Sequence, residues 1–161
     1  MASTTFSGPV TSTNGFIGAL TGNVTGNVTG NVTGNIAGSG SITHATTSAI
    51  NATATATAAE VATGYITSTS AASTVITLPT GTLLGAALGA ARGTVFDLYI
   101  DNTAGANTVT IAVATNGVLS TAAVDTAGSF GDLTVASGVT GLARFTLMFS
   151  SATAYAFTRT A

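Results

Sequence analysis

The chain has 161 residues, only 5% of them charged, with three arginines, no lysine and five acidic residues. Holding a phosphate backbone takes several Lys or Arg side chains to displace counterions, so nucleic-acid binding is excluded. The absence of cysteine removes disulfides and thiolate metal sites. Much of the 45% hydrophobic content is alanine. At about 25 cal/mol per Å² of apolar surface buried, one chain then has a modest core, drawn mainly from its second half.

Residues 1–15 read MASTTFSGPVTSTNG, without the basic start and apolar run of a secretory signal, so export by that route is not expected. The segment is too short and polar to fold alone and is expected to lie as an extended arm on a partner protein. Phe6, Pro9 and Val10 are its candidate anchors.

Residues 16–39 form six tetrads, FIGA, LTGN, VTGN, VTGN, VTGN and IAGS, with glycine always third and a large apolar residue always first. A helix would carry a glycine in every turn at about 1 kcal/mol each, together with poor formers Val, Thr and Asn, and is rejected. In an extended chain a period of four puts the apolar residue and glycine on one face and Thr and Asn on the other. The Gly-Asn steps equally allow a kinked strand. One apolar residue in four makes no core within a single chain. Three chains wound about an axis bury Phe16, Leu20, Val24, Val28, Val32 and Ile36 as the core of a fibrous stalk, so a homotrimer is expected. The competing reading is a Gly/Thr/Asn linker.

Residues 40–62 are an Ala/Thr-rich connector, within which Ile50–Thr57 alternates as a weak strand. Residues 63–161 read as one β domain. Strands are expected at Gly64–Thr69, Thr74–Leu78, Thr94–Asp101, Thr108–Ala114, Leu133–Ala136, Ala143–Phe149 and Ala154–Thr158. Phe96, Leu98 and Ile100 alternate with Asp97, Tyr99 and Asp101, and Phe145, Leu147 and Phe149 with Arg144 and Thr146. The fold class is therefore all-β: an extended arm, a trimeric fibrous stalk and an antiparallel β-sandwich or jelly-roll-like domain. Leu83–Ala91 is the exception, one short helix packed on an open edge, too short to span a bilayer.

Groups for chemistry are few. The single histidine, His44, has no acidic neighbour nearer than Glu60 and reads as a loop residue, because a metal site needs three or four converging ligands. Asp97 and Asp101 share a strand face but stand roughly 13 Å apart, too far for one ion or an acid/base pair. Ser39 and Ser41 lack the glycines of a nucleophile elbow. Gly81, Gly85, Gly89 and Gly93 recur without a lysine, which suits close packing rather than a phosphate loop. Asn23, Asn27, Asn31 and Asn51 fit N-x-T sequons, but without a secretion signal glycosylation is not expected. No catalysis, cofactor or metal is expected.

The tetrads LTGNVTGNVTGNVTGN, Leu20–Asn35, followed by INATATATAAEVATG resemble the stalks of tailed-bacteriophage fibre and appendage proteins. The later order VITLPTGTLLGAALGAARGTVFDLYIDNTAGANTVTIAVATNGV, then LARFTLMFSSATAYAFTR, is similar in pattern to small domains of phage capsid decoration and head-fibre proteins. The resemblance implies a trimeric structural protein on the outer surface of the capsid. It would be attached by its N-terminal region to the major capsid protein or another virion protein, with no membrane contact. A second class stays open beside it, a short tail fibre or a module that grips a host-surface glycan.

Overall fold

The computed structural model describes residues 44, 46–119 and 133–161, all within one compact unit, Ser41–Ala161. The arm residues Phe6, Pro9 and Val10 and the stalk residues Phe16, Leu20, Val24, Val28, Val32 and Ile36 lie outside the described residues, as do Asp125 and Asp132.

The described residues are β-rich, as expected. In chain order they form β1 (Ser48–Ala49), β2 (Ala54–Thr55), α1 (Ala58–Ala62), β3 (Tyr65–Thr67), β4 (Thr74–Leu78), α2 (Gly81–Leu88), β5 (Val95–Asp101), β6 (Val109–Val113), β7 (Gly117–Leu119), β8 (Thr134–Val135), β9 (Leu142–Ser151) and β10 (Ala154–Arg159). A six-stranded sheet runs β1-β3-β5-β9-β10-β7 and a four-stranded sheet β2-β4-β6-β8.

From β1 to β9 the chain changes sheet at every step. The pairs β1–β3, β3–β5, β2–β4 and β4–β6 thus join second neighbours in sequence, reached through a crossover, which is the connection that parallel strands need. This corrects the antiparallel expectation. The pairs β1–β3, β3–β5, β2–β4, β4–β6 and β7–β10 are parallel, and only β5–β9, β9–β10 and β6–β8 are antiparallel among the described residues. The segment read as a connector takes part, since β1 and β2 edge the two sheets and Ile50, Ala56 and Val61 are buried.

Both sheets feed one core. The six-stranded sheet contributes Ile66, Leu98, Ile100, Phe145, Leu147, Phe149, Tyr155 and Phe157, and the four-stranded sheet Ile76, Leu78, Val109, Ile111 and Val135. Phe145 and Phe157 stack with centroids 5.0 Å apart. Asn102, fully buried just past β5, spans the two sheets: its Nδ2 donates toward Asn107 O (2.8 Å), Ala136 O (2.9 Å) and Val135 O (3.2 Å) beside β8.

The two helices end in caps that the sequence spells. Thr57 begins α1 with a capping box, its N–H donating to Glu60 Oε2 at 2.7 Å while its hydroxyl accepts from Glu60 N at 3.2 Å. These Thr57 hydrogen bonds, the backbone one foremost, hold the Glu60 carboxyl below the usual range. Thr80 caps α2 at its start, and Gly89 closes it in the left-handed region with φ 58°. A Cβ at Gly81 or Gly85 would run into the carbonyls of Thr153 or Ala152 in the β9–β10 turn. The four-residue glycine spacing therefore lets α2 lie directly on that turn.

Candidate functional site

The face of the six-stranded sheet that points away from the core carries the site. Alternation along β5 sends Leu98 and Ile100 inward and leaves Val95, Asp97, Tyr99 and Asp101 outside. β3 lies parallel to β5 with Tyr65 opposite Tyr99, and β9 lies antiparallel with Arg144 opposite Tyr99 and Thr146 opposite Asp97. The sheet register thus brings together two tyrosines 34 positions apart in sequence. Their rings stack at 6.2 Å with an interplanar angle of 21°.

His44 completes the cluster. Its ring lies 5.6 Å from Tyr99 and 5.9 Å from Tyr65. His44 Nδ1 donates to Thr63 O at 2.9 Å, which in the neutral ring leaves Nε2 as an acceptor. Gly64, with φ 74°, is required here twice over: the backbone is left-handed, and a Cβ would collide with the imidazole.

The polar groups beside the rings are held in place. Tyr65 donates its hydroxyl to Asp101 Oδ2 at 2.9 Å, while Asp101 Oδ1 accepts from Thr103 Oγ1 at 2.6 Å and Thr103 N at 3.0 Å. The two Thr103 bonds, aided by Tyr65, hold the Asp101 carboxyl below its ordinary range. Burial, then the hydrogen bond and charge of Asp101, pushes the Tyr65 phenol up. Thr146 Oγ1 donates to Asp97 Oδ1 at 2.7 Å and lies 3.2 Å from Thr160 Oγ1, to which Arg144 Nε also donates at 3.1 Å.

Between these groups lies a cleft of about 600 Å³, open on one side and lined by His44, Tyr65, Val95, Phe96, Asp97, Tyr99 and Leu142. Val95 and Leu142 are 61% and 51% exposed, and Met148, opposite Val95 on β9, is 54% exposed. A carboxylate, an imidazole acceptor and two phenols stand beside apolar side chains, groups suited to stacking and hydrogen bonding. No group of three or more His, Cys, Asp or Glu converges as metal ligands among the described residues. No described helix is long and apolar enough to cross a membrane.

Sequence reading placed Asp97, Tyr99 and Asp101 on one strand face and treated His44 as a loop residue. The structure does place the first three on that face, and it brings His44 and Tyr65 to them. The missing information was the parallel register of β3 on β5, which no local pattern encodes. Compared with protein-family models, curated proteins and solved structures, the chain matches none.

Proposed function

We propose that this chain is a structural protein of a tailed-bacteriophage virion, a homotrimeric capsid decoration or head-fibre protein on the outer capsid surface. It is attached by its N-terminal region to the major capsid protein or another virion protein. The observation that carries this reading is the tetrad repeat of residues 16–39, whose single apolar stripe no lone chain buries. The compact unit that follows is, in this reading, a small two-sheet sandwich that the stalk carries.

Among the described residues, the use of the three acidic side chains supports a structural role. Glu60 closes a helix cap, Asp97 accepts from Thr146, and Asp101 is shared between Thr103 and Tyr65. Each holds backbone or a neighbouring strand in place. General acid/base work instead needs such groups within hydrogen-bond reach of one another and of a substrate.

Light scattering on the full chain tests the proposal and should give the mass of three chains. Val28→Asp would put an unpaired charge on the trimer axis and should dissociate it, whereas Thr29→Asp, on the outward face of the repeat, should leave the mass unchanged. A monomer at micromolar concentration would overturn the reading.

A further inference from the structure

We infer that the cleft along β5 is a binding site for a neutral oligosaccharide. This goes beyond the virion proposal and does not depend on it. The argument starts from the two tyrosines. Tyr65 and Tyr99 stand side by side on adjacent parallel strands, and His44 packs against both. Aromatic side chains on the solvent face of a sheet normally hide in a core or an interface, yet here sheet register, a histidine and a glycine without a side chain combine to keep a cleft open beside them. The C–H face of a pyranose ring is the apolar half of an otherwise polar ligand, and it lies flat on an aromatic ring.

The polar groups fit the other half of such a ligand. Sugar hydroxyls donate to carboxylates and accept from hydroxyls, and hydrogen bonds to a charged acceptor are the strong ones. Asp97 lines the cleft with one oxygen held by Thr146, which fixes the carboxylate without using all its acceptor capacity. His44, its Nδ1 tied to Thr63 O, offers Nε2 as an acceptor in the neutral ring. These groups are pinned before any ligand arrives, which lowers the entropy lost on binding.

Shape and charge narrow the class. Val95 and Leu142 border the cleft, and Leu142 pairs with Asp101, six positions along β5 from Val95. At about 3.3 Å per strand residue the lined stretch is about 20 Å long, a length that suits several linked rings. A compact apolar ligand is normally enclosed over most of its surface, whereas this cleft is open and leaves a long ligand largely in water. Asp97 in the lining and Asp101 beside Tyr65 outweigh the one guanidinium opposite Tyr99, Arg144, whose Nε is tied to Thr160 Oγ1, so the net charge disfavours an anionic ligand and favours a neutral chain. The two carboxylates are roughly 13 Å apart by strand rise, beyond the separations of about 5–9.5 Å that glycoside hydrolysis uses. The site binds a glycan without cutting it.

Titration of the full-length chain with maltohexaose, cellohexaose and chitohexaose tests the inference. The chain has no tryptophan and three tyrosines, so tyrosine fluorescence reports on the cleft. At least one hexasaccharide should bind with a dissociation constant in the micromolar to millimolar range. Tyr99→Ala should weaken it tenfold or more with an unchanged thermal midpoint, and Tyr99→Phe, which keeps the ring, should stay within about threefold of the parent. An oligogalacturonate hexamer should bind at least tenfold more weakly than the best neutral one. The inference is overturned if none of the three sugars binds at millimolar concentration, if Tyr99→Ala binds like the parent, or if the anionic hexamer binds equally well. It also fails if the tyrosine emission per chain changes with protein concentration and ignores sugar, since a second copy of the chain would then cover the cleft. Light scattering, which tests the trimer, is a separate measurement, so either idea can fail alone.

Discussion

Along β5 and β9 one backbone carries two surfaces. Toward the core, Leu98, Ile100, Phe145 and Leu147 are completely buried, and each contributes apolar area and close packing. Away from it, Asp97, Tyr99, Arg144 and Thr146 are half-buried or exposed and act through hydrogen bonds and ring contacts. Successive residues alternate between the two, so the information for the fold and for the cleft is interleaved at a period of two. Inner positions specify the sheet, and outer positions decide what the sheet can hold.

The widest test of that division uses adjacent residues. Phe145→Ala empties a fully buried aromatic site that stacks on Phe157 and should cost about 3–5 kcal/mol of unfolding free energy. Thr146→Val keeps the side-chain shape and removes the partly solvated hydrogen bond to Asp97, and should cost about 1 kcal/mol or less. Urea denaturation of both variants measures the gap. Similar losses would mean that the outer face stabilises the sheet as much as the core does.

A smaller effect, with a sign that helix propensity alone gets wrong, is expected at Gly85. Replacing a helical glycine by alanine usually stabilises by roughly 0.5–1 kcal/mol. Here the new Cβ would meet Ala152 O and approach Phe149 Cε1 at 3.4 Å, so α2 must lift off the β9–β10 turn. Gly85→Ala should lose about 1–3 kcal/mol, the usual range for overpacking. Thermal unfolding that gives a raised midpoint would show that the turn yields freely.

How much of this was legible in the sequence follows from what local patterns encode. Alternation in the expected strands Thr94–Asp101 and Ala143–Phe149 gave both strands and their inward faces, which the structure sets at Val95–Asp101 and Leu142–Ser151. The expected strand Thr74–Leu78 matches β4 at both ends. The run Ile50–Thr57 was read as one strand, but it holds only the two-residue β2, with β1 just before it and α1, opened by the Thr57–Glu60 capping box, just after. Small residues satisfy helix and strand patterns equally well, and the box begins at the last residue of the run that looked extended. Asn116, at φ 64°, makes the bend that leads directly into β7. Pairing was the least legible feature. Turn signals between strands suggest hairpins, yet among the described residues only β9 and β10 are neighbours in both sequence and sheet. The aromatic cleft depends on that long-range pairing, and the distance from His44 to Tyr99 along the chain hid it.

The least disruptive test separates a buried phenol from an exposed one by pH. Tyr155 is 1% exposed, its hydroxyl donates to Pro79 O at 3.0 Å, and burial pushes its pKa up from 10.0 to about 12. Between those values the folded chain keeps a proton that the unfolded chain releases, so the unfolded state binds fewer protons and stability falls as pH rises. The contribution is intact below pH 10 and declines by up to about 1.4 kcal/mol per pH unit through the window. Tyr155→Phe should lose about 1 kcal/mol at neutral pH through the unpaired Pro79 carbonyl, and should then hold its stability where the parent weakens. The two stability curves should cross near pH 11. Tyr65 is also shifted upward, through burial and Asp101, but it is partly exposed on the outer face. Tyr65→Phe should therefore flatten the alkaline decline less than Tyr155→Phe does. Denaturant titrations at a series of pH values from neutral to strongly alkaline measure both effects, and an equal decline in parent and Tyr155→Phe would place the alkaline weakness outside the core.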